Sequence, residues 1–257
     1  MLFDSHAHMD VEEFDEDREE LLKNIHEKNI SLVLNPGVDI KTSRGAVELA
    51  GKYDWIYAAV GYYPQETGSL NTGLLEEIER LAADPKVVAI GEIGLDYHWK
   101  RVSHGIQQFW FRKQIQLAIK LGKPIIIHDR EAHGDVVRIL REEGAFKHTK
   151  VLFHCYSGSA EMAKELLKEG TCYFSIAGPV TYGNNRKAKA VIKAIPLDHM
   201  CVETDSPYLT PEPFRGQRNN PSLVEYTAAK VAELKEISLE EVAAATMDTA
   251  KKIFGIE

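Results

Sequence analysis

Eight short apolar runs, set roughly 20 to 35 residues apart and rich in β-branched residues, constrain the fold of this 257-residue chain more than any other feature. The first is the start of the chain, leading into Phe3-Asp4-Ser5-His6-Ala7-His8. The others are Ile30 to Leu34, Trp55 to Val60, Val87 to Glu92, Pro124 to His128, Val151 to His154, Thr171 to Ile176 and Met200 to Asp205. Runs of this kind read as strands buried on both faces, as in parallel sheets covered by helices. Amphipathic stretches fill the gaps: Asp15 to Lys28, Thr42 to Lys52, Leu74 to Ala83, Gly105 to Leu121, Gly134 to Glu143, Ser159 to Glu169, Arg186 to Ala194 and Pro221 to Leu234. Strand and helix alternating eight times predict an α/β chain folded as one (β/α)8 TIM-type barrel, a single domain over residues 1–257. A doubly wound open sheet has the same alternation. It would not bring the ends of strands one, four, five, six and eight to one point, whereas a closed barrel does.

Those ends are where the chemistry lies. On a strand, alternate side chains share a face. Asp4, His6 and His8 therefore point the same way, and two neutral imidazoles converging at a strand exit are the beginning of a metal site. Glu92, His128, His154 and the pair Glu203 and Asp205 close four of the other runs. One polar ending is an ordinary turn residue or helix cap. Five such endings in one chain ask for a common purpose.

The remaining composition narrows the class. Hydrophobic content of 44% and charged content of 27% are ordinary for a globular domain. No apolar stretch reaches transmembrane length and the N-terminus carries no basic-then-apolar leader, so a cytoplasmic protein with no membrane association is expected. The three cysteines, Cys155, Cys172 and Cys201, lie in or beside predicted strands and read as small buried hydrophobes. Ser238-Leu239-Glu240-Glu241 is a capping box opening a last helix.

Five blocks carry a family resemblance: Asp4-Ser5-His6-Ala7-His8, Gly91-Glu92-Ile93-Gly94-Leu95-Asp96-Tyr97, Lys123-Pro124 running to His128, His154-Cys155-Tyr156-Ser157-Gly158, and Glu203-Thr204-Asp205-Ser206-Pro207-Tyr208. In order and spacing, over essentially the whole chain, they resemble the signature blocks of the TatD family. These are metal-dependent hydrolases of the amidohydrolase superfamily with deoxyribonuclease members. The resemblance implies a TIM-type barrel with two divalent ions. It implies that His6, His8 and Asp205 bind one ion, that His128 and His154 bind the other, and that Glu92 bridges them. Mixed nitrogen and oxygen donors suit Zn, Mn or Ni, with Mg at the more oxygen-rich position. Two cations sharing a carboxylate acidify a water for attack on phosphorus, with Asp205 as its base and Glu92 as the shared ligand. Asp4 and Glu203, each two residues before a ligand, are expected beneath the site, hydrogen-bonded to the free ring N–H of a ligating histidine.

Substrate contacts are expected from residues on strand-end loops. Ser157 and Gly158 open the helix after the sixth strand, where backbone N–H groups suit phosphate. Arg130 follows His128 by two residues, and Arg215, Arg218 and Asn219 lie in the Pro-rich loop after the eighth strand. Arginine suits bidentate phosphate contact. Tyr97, His98, Tyr156, Tyr182 and Asn184 sit on similar loops, where aromatic faces stack bases. One position departs from the family, which has Gly-x-His-Pro after the third strand; here the run is Gly61-Tyr62-Tyr63-Pro64. His26, His104, His133, His148 and His199 read as surface or helix residues.

A net charge of −8 argues against bulk attraction to a polyanion, so contact with DNA is local and the expected substrate is a DNA end, a single strand or a short oligonucleotide. No obligate protein partner is indicated. The alternative keeps the site and changes the bond, to the amide of a small peptide derivative or an aminoacyl ester. A purely structural metal site is a third class, but such sites are closed and use no bridging acid.

Overall fold

In the computed structural model, which describes residues 1–183 and 185–257 and the backbone alone of Arg186, each apolar run is a strand. They are β1 (Leu2–Asp4), β2 (Ile30–Pro36), β3 (Ile56–Val60), β4 (Val87–Asp96), β5 (Ile125–Arg130), β6 (Val151–Phe153), β7 (Cys172–Ile176) and β8 (Met200–Val202). They form one eight-stranded sheet in chain order, the (β/α)8 TIM barrel. Asn184, expected on a strand-end loop, lies outside the described residues.

The chain packs as two compact units. The first comprises Met1–Asn35, Cys155–Lys168 and Tyr173–Glu257. In it β1 pairs parallel with β2, and β7 with β8. The ends of β8 and β1 meet through Ser5 N donating to Val202 O (3.1 Å) and Asp205 N donating to His6 O (2.9 Å). Its helices are α1 (Arg18–Lys28), α7 (Ala160–Leu166), α8 (Arg186–Ala194), α9 (Val224–Lys235) and α10 (Leu239–Phe254). The capping box forms as expected, with Ser238 Oγ accepting from Glu241 N at 3.1 Å. Cys172 and Cys201 are buried, whereas Cys155 is part-exposed.

The second unit comprises Pro36–His154 and Glu169–Cys172. Strands β3 to β6 pair parallel in sequence. Helices α2 (Ile40–Lys52), α3 (Thr72–Leu81), α4 (His104–Leu121) and α5 (His133–Glu142), with the short α6 (Ala145–His148), complete it. No sequence pattern marks α6, a single turn begun by Gly144 at φ 73°.

Strand ends differ from the sequence reading in a way that matters. β4 continues four residues past Glu92 to Asp96, and β5 two past His128 to Arg130. Between them Ile90 faces Ile125 but Ile93 faces Ile127, so β4 carries one extra residue. Such a bulge re-aims a side chain and is common beside functional sites; here the displaced segment is Gly91-Glu92. The opposite holds for β1, β6 and β8, which end before His6, His154 and Asp205. No helix among the described residues is long and apolar enough to cross a membrane.

Candidate metal centre

In the second unit, three expected ligands converge. Glu92 Oε1 lies 2.7 Å from His128 Nδ1 and 3.3 Å from His154 Nε2, and the two nitrogens are 3.3 Å apart. Glu92 comes from the bulged segment of β4, His128 from β5, and His154 from the residue after β6. Cys155 follows at φ 41°, a left-handed conformation that turns the chain sharply there.

His128 presents Nδ1 to this cluster because its other nitrogen is taken. His128 Nε2–H donates to Asp96 Oδ2 at 3.3 Å, and Tyr63 Oη donates to the same oxygen at 2.5 Å. The Tyr63 ring meets the imidazole edge-on, centroids 4.7 Å apart. Asp96 Oδ1 accepts from the backbone N–H groups of His98 (2.9 Å) and Trp99 (3.1 Å). Burial alone would raise the Asp96 carboxyl, but donation from His128, Tyr63 and Trp99 outweighs it and holds the group at about 2. Burial lowers His128, yet hydrogen bonds to Asp96 and Glu92 leave it above the usual imidazole value. Tyr63 is pushed up by burial and by Asp96, so its hydroxyl stays a donor.

Asp96 and Tyr63 were not among the residues assigned from sequence. A signal for Asp96 was present: it follows Glu92 by four residues, and positions 92, 94 and 96 share one face of a strand. Tyr63 stands out in sequence as the departure from the family's Gly-x-His-Pro, but its partner, 33 residues away, was not legible there.

In the first unit, the other three expected ligands converge in the same manner. His6 Nε2 and His8 Nε2 are 3.3 Å apart, and Asp205 Oδ1 lies 3.7 Å from the first and 3.5 Å from the second. Asp205 sits at φ 56°, a conformation costing a non-glycine residue on the order of 1–3 kcal/mol. Hydrogen bonds hold it there: Asp205 N to His6 O, and Ser206 N to Thr204 Oγ1 at 3.2 Å.

Asp4 is fully buried beneath this triad, but its partners differ from expectation. It accepts from backbone N–H groups of His6 (3.3 Å) and Thr204 (2.9 Å) and from Thr204 Oγ1 (2.5 Å), rather than from an imidazole N–H. The strand ends at Asp4, so the carboxylate reaches the turn backbone instead of the rings. Burial pushes its carboxyl up to about 8. Glu203, also fully buried, accepts from the backbone N–H of Cys155 at 2.7 Å and so fixes the turn after β6.

Several expected substrate contacts are given other work. Asn219 is fully buried, and its Nδ2 donates to the carbonyls of Thr204 (2.9 Å) and Tyr208 (2.5 Å), so it braces the Asp205 loop from inside. Arg218 donates to Asp17 Oδ1 at 2.9 Å and to Glu13 O at 2.6 Å, with its guanidinium over Phe14. Its charge is already paired. Ser157 and Gly158 precede α7, a seven-residue helix that Ser159 caps by accepting from Met162 N at 3.1 Å. Ser157 O accepts from Lys187 Nζ at 2.6 Å, and Gly158 leaves space taken by the Tyr156 ring. Tyr182 Oη donates to Thr210 O at 3.1 Å, and the exposed Arg215 stacks over its ring at 4.3 Å. Arg130 is exposed at the end of β5. Of the other histidines, His104 stacks on Tyr97 at 3.7 Å, His199 on Tyr173 at 5.0 Å, and His133 Nδ1–H donates to Asp129 Oδ2 at 2.7 Å.

The donor chemistry fits divalent cations. Each unit aims two imidazole nitrogens and one carboxylate oxygen at a common point, and those of Glu92, His128 and His154 lie within 4.8 Å of one another. Nitrogen and carboxylate donors in threes leave positions open for water and substrate, as in catalytic rather than structural sites. A TIM barrel with such triads at its strand ends fits metal-dependent hydrolysis, and the relatives of the chain place it in that class. The chain belongs to the TatD related DNase family, whose model matches residues 3–255. It is 47% identical to the uncharacterized metal-dependent hydrolase YabD of Bacillus subtilis over 256 residues, 100% of both chains. It is 35% identical to the uncharacterized metal-dependent hydrolase YcfH of Escherichia coli K12, covering 100% of this chain and 96% of that one. The crystal structure of YjjV, a TatD homologue from Escherichia coli, superposes with a TM-score of 0.92 at 27% identity, covering 100% and 98%.

Proposed function

We propose that the chain is a single-domain phosphodiesterase, a nuclease acting on DNA ends, single strands or short oligonucleotides, and that His6, His8 and Asp205 would hold one divalent ion and Glu92, His128 and His154 another. The observation that carries this reading is the repetition of one donor set. His6, His8 and Asp205 mirror His128, His154 and Glu92 in residue type and spacing of donor atoms. The match to the TatD related DNase family over residues 3–255 supports the nucleic-acid substrate.

Bound ions would supply Lewis-acid polarisation of a phosphate oxygen and a water acidic enough to attack near neutral pH. The residues supply the rest. Asp205 is the proton acceptor: its carboxylate stands beside both imidazoles of its triad and keeps 15% of its side chain open. Asp96 keeps the proton of His128 on Nε2, so the lone pair of Nδ1 faces the cluster. Asp4 and Thr204 hold the backbone that carries His6 and Asp205 in register. Arg130, exposed at the end of β5, and Arg215, exposed on the loop after β8, are the cations for the flanking phosphates.

Turnover of metal-loaded protein on end-labelled single-stranded oligonucleotides, beside a dipeptide and ester panel, tests the reading. Asp205→Asn should lower kcat by about a thousandfold or more while oligonucleotide binding persists. Amide or ester turnover without oligonucleotide cleavage would transfer the site to the alternative chemistry.

A further inference from the structure

The phosphodiester reading leaves one prominent side chain unused. Trp99 lies in the loop between β4 and α4 with 50% of its surface exposed. A single exposed aromatic residue needs no explanation by itself. Here, however, the backbone beneath the ring is held from both sides. Trp99 N donates to Asp96 Oδ1 at 3.1 Å, and Trp99 O accepts from Gln65 Nε2 at 2.8 Å. Gln65 is itself buried, and its Oε1 accepts from Arg101 N and Val102 N, which closes the loop on a rigid support.

The support is shared with the candidate ligand. One carboxylate, Asp96, accepts from His128 Nε2 on Oδ2 and from Trp99 N on Oδ1. The backbone that carries the indole is therefore held by the same residue that sets the imidazole. Above it, the Arg130 guanidinium stands 5.7 Å from the ring centroid. Arg130 comes from the end of β5, two residues after His128, and among the described residues it makes no ion pair. The neighbouring acids are engaged elsewhere: Glu131 with His98 at 2.8 Å, and Glu66 with Arg101 at 3.8 Å. A half-exposed indole with the His98 ring perpendicular to it at 4.9 Å and an uncommitted guanidinium over it, on a chain of net charge −8, is complementary to a flat ring carrying a phosphate that displaces the guanidinium from the ring.

We infer that Trp99 and Arg130 form a nucleotide subsite, in which a nucleobase stacks on the indole and Arg130 pairs with its phosphate. The inference rests on the phosphodiester reading for its role in turnover, but not for binding. It makes the enzyme prefer phosphodiesters that carry a base at this position.

Two measurements test it separately. In a Trp55→Phe/Trp110→Phe background, Trp99 is the remaining one of three tryptophans. Metal-free protein of that kind should show saturable fluorescence quenching by deoxyadenosine monophosphate and none by deoxyribose 5-phosphate. Arg130→Ala should weaken the nucleotide titration. For turnover, kcat/KM on an oligonucleotide is compared with that on the same strand bearing an abasic terminal residue. Trp99→Ala should cut the base-to-abasic preference about tenfold or more, and Trp99→Phe should restore most of it. Equal quenching by both ligands, or none, overturns the subsite whatever the reaction proves to be. A preference unchanged in Trp99→Ala overturns its role in turnover while leaving the phosphodiesterase itself standing. Absence of any phosphodiester cleavage removes the phosphodiesterase reading, and the quenching titration then decides the subsite alone.

Discussion

Asp96 does more for the candidate centre than any residue singled out from sequence except the ligands themselves. Its two oxygens join a histidine, a tyrosine hydroxyl and a loop backbone, and the hydroxyl is unable to titrate in the working range. Tyr63→Phe removes a charge-assisted hydrogen bond and should weaken metal binding about tenfold, with Asp96→Asn nearer a hundredfold. Titration of either variant with Zn²⁺ or Mn²⁺ against a chromophoric chelator checks this; wild-type affinity in Tyr63→Phe would show that the ring contact alone orients His128. Asp4 poses a different test. Its folded pKa of about 8 lies above the ordinary 3.8, so the folded chain keeps a proton that the unfolded chain releases. The stability this group contributes is full below the unfolded value and lost as pH rises through the folded one. In the interval between, the slope approaches about 1.4 kcal/mol per pH unit. Urea unfolding of metal-free protein at about pH 5 and pH 7.5 should show wild type losing stability relative to Asp4→Asn. Parallel behaviour of the two proteins would place the titration elsewhere.

The pairing of β4 with β5 is the element on which the second triad hangs, and its tightest point is a glycine. Gly94 sits opposite His128 at φ 148°, and a Cβ there would lie 1.9 Å from the His128 carbonyl oxygen. Gly94→Ala must push the strands apart where the ligand is held, and should cost well over about 1 kcal/mol. Gly134, in the first turn of α5, has nothing within 4 Å of the added methyl. Gly134→Ala should instead stabilise by roughly 0.5–1 kcal/mol. Denaturant midpoints at constant slope compare the two; equal midpoints would mean that β4 yields without cost. The bulge at Gly91-Glu92 belongs to the same pairing. It explains why a carboxylate expected at a strand terminus reaches His128 and His154 from within a longer strand.

For the whole chain, charge decides how a polyanion is met. With a net charge of −8, and with Arg218 paired to Asp17, Arg130 and Arg215 are, among the described residues, the arginines without an ion pair of the three expected from sequence to meet phosphate. Two contacts to a single strand give a log–log salt slope of about 1.4 in magnitude. Binding of oligonucleotide to Asp205→Asn protein, titrated from low to moderate salt, measures it. A slope of about five or more would require more phosphate contacts than these two arginines supply.

Sequence alone determined the alternation of eight strands and helices, because buried strands and amphipathic helices write different periods into the hydrophobic pattern. It also singled out the residue types at the strand ends, since buried strands have no need of histidine and carboxylate there. The tertiary structure decided what each of those residues does. Periodicity says which way a side chain faces and nothing about what stands opposite. Asp4 meets Thr204 across 200 residues of chain and Tyr63 meets Asp96 across 33, and no local pattern encodes either pairing. Arg218 and Asn219 are adjacent in one loop, yet one turns outward to Asp17 and the other is buried against the Thr204 and Tyr208 carbonyls. That choice follows from which unsatisfied groups the folded chain presents to each of them, and those groups exist only once the barrel has formed.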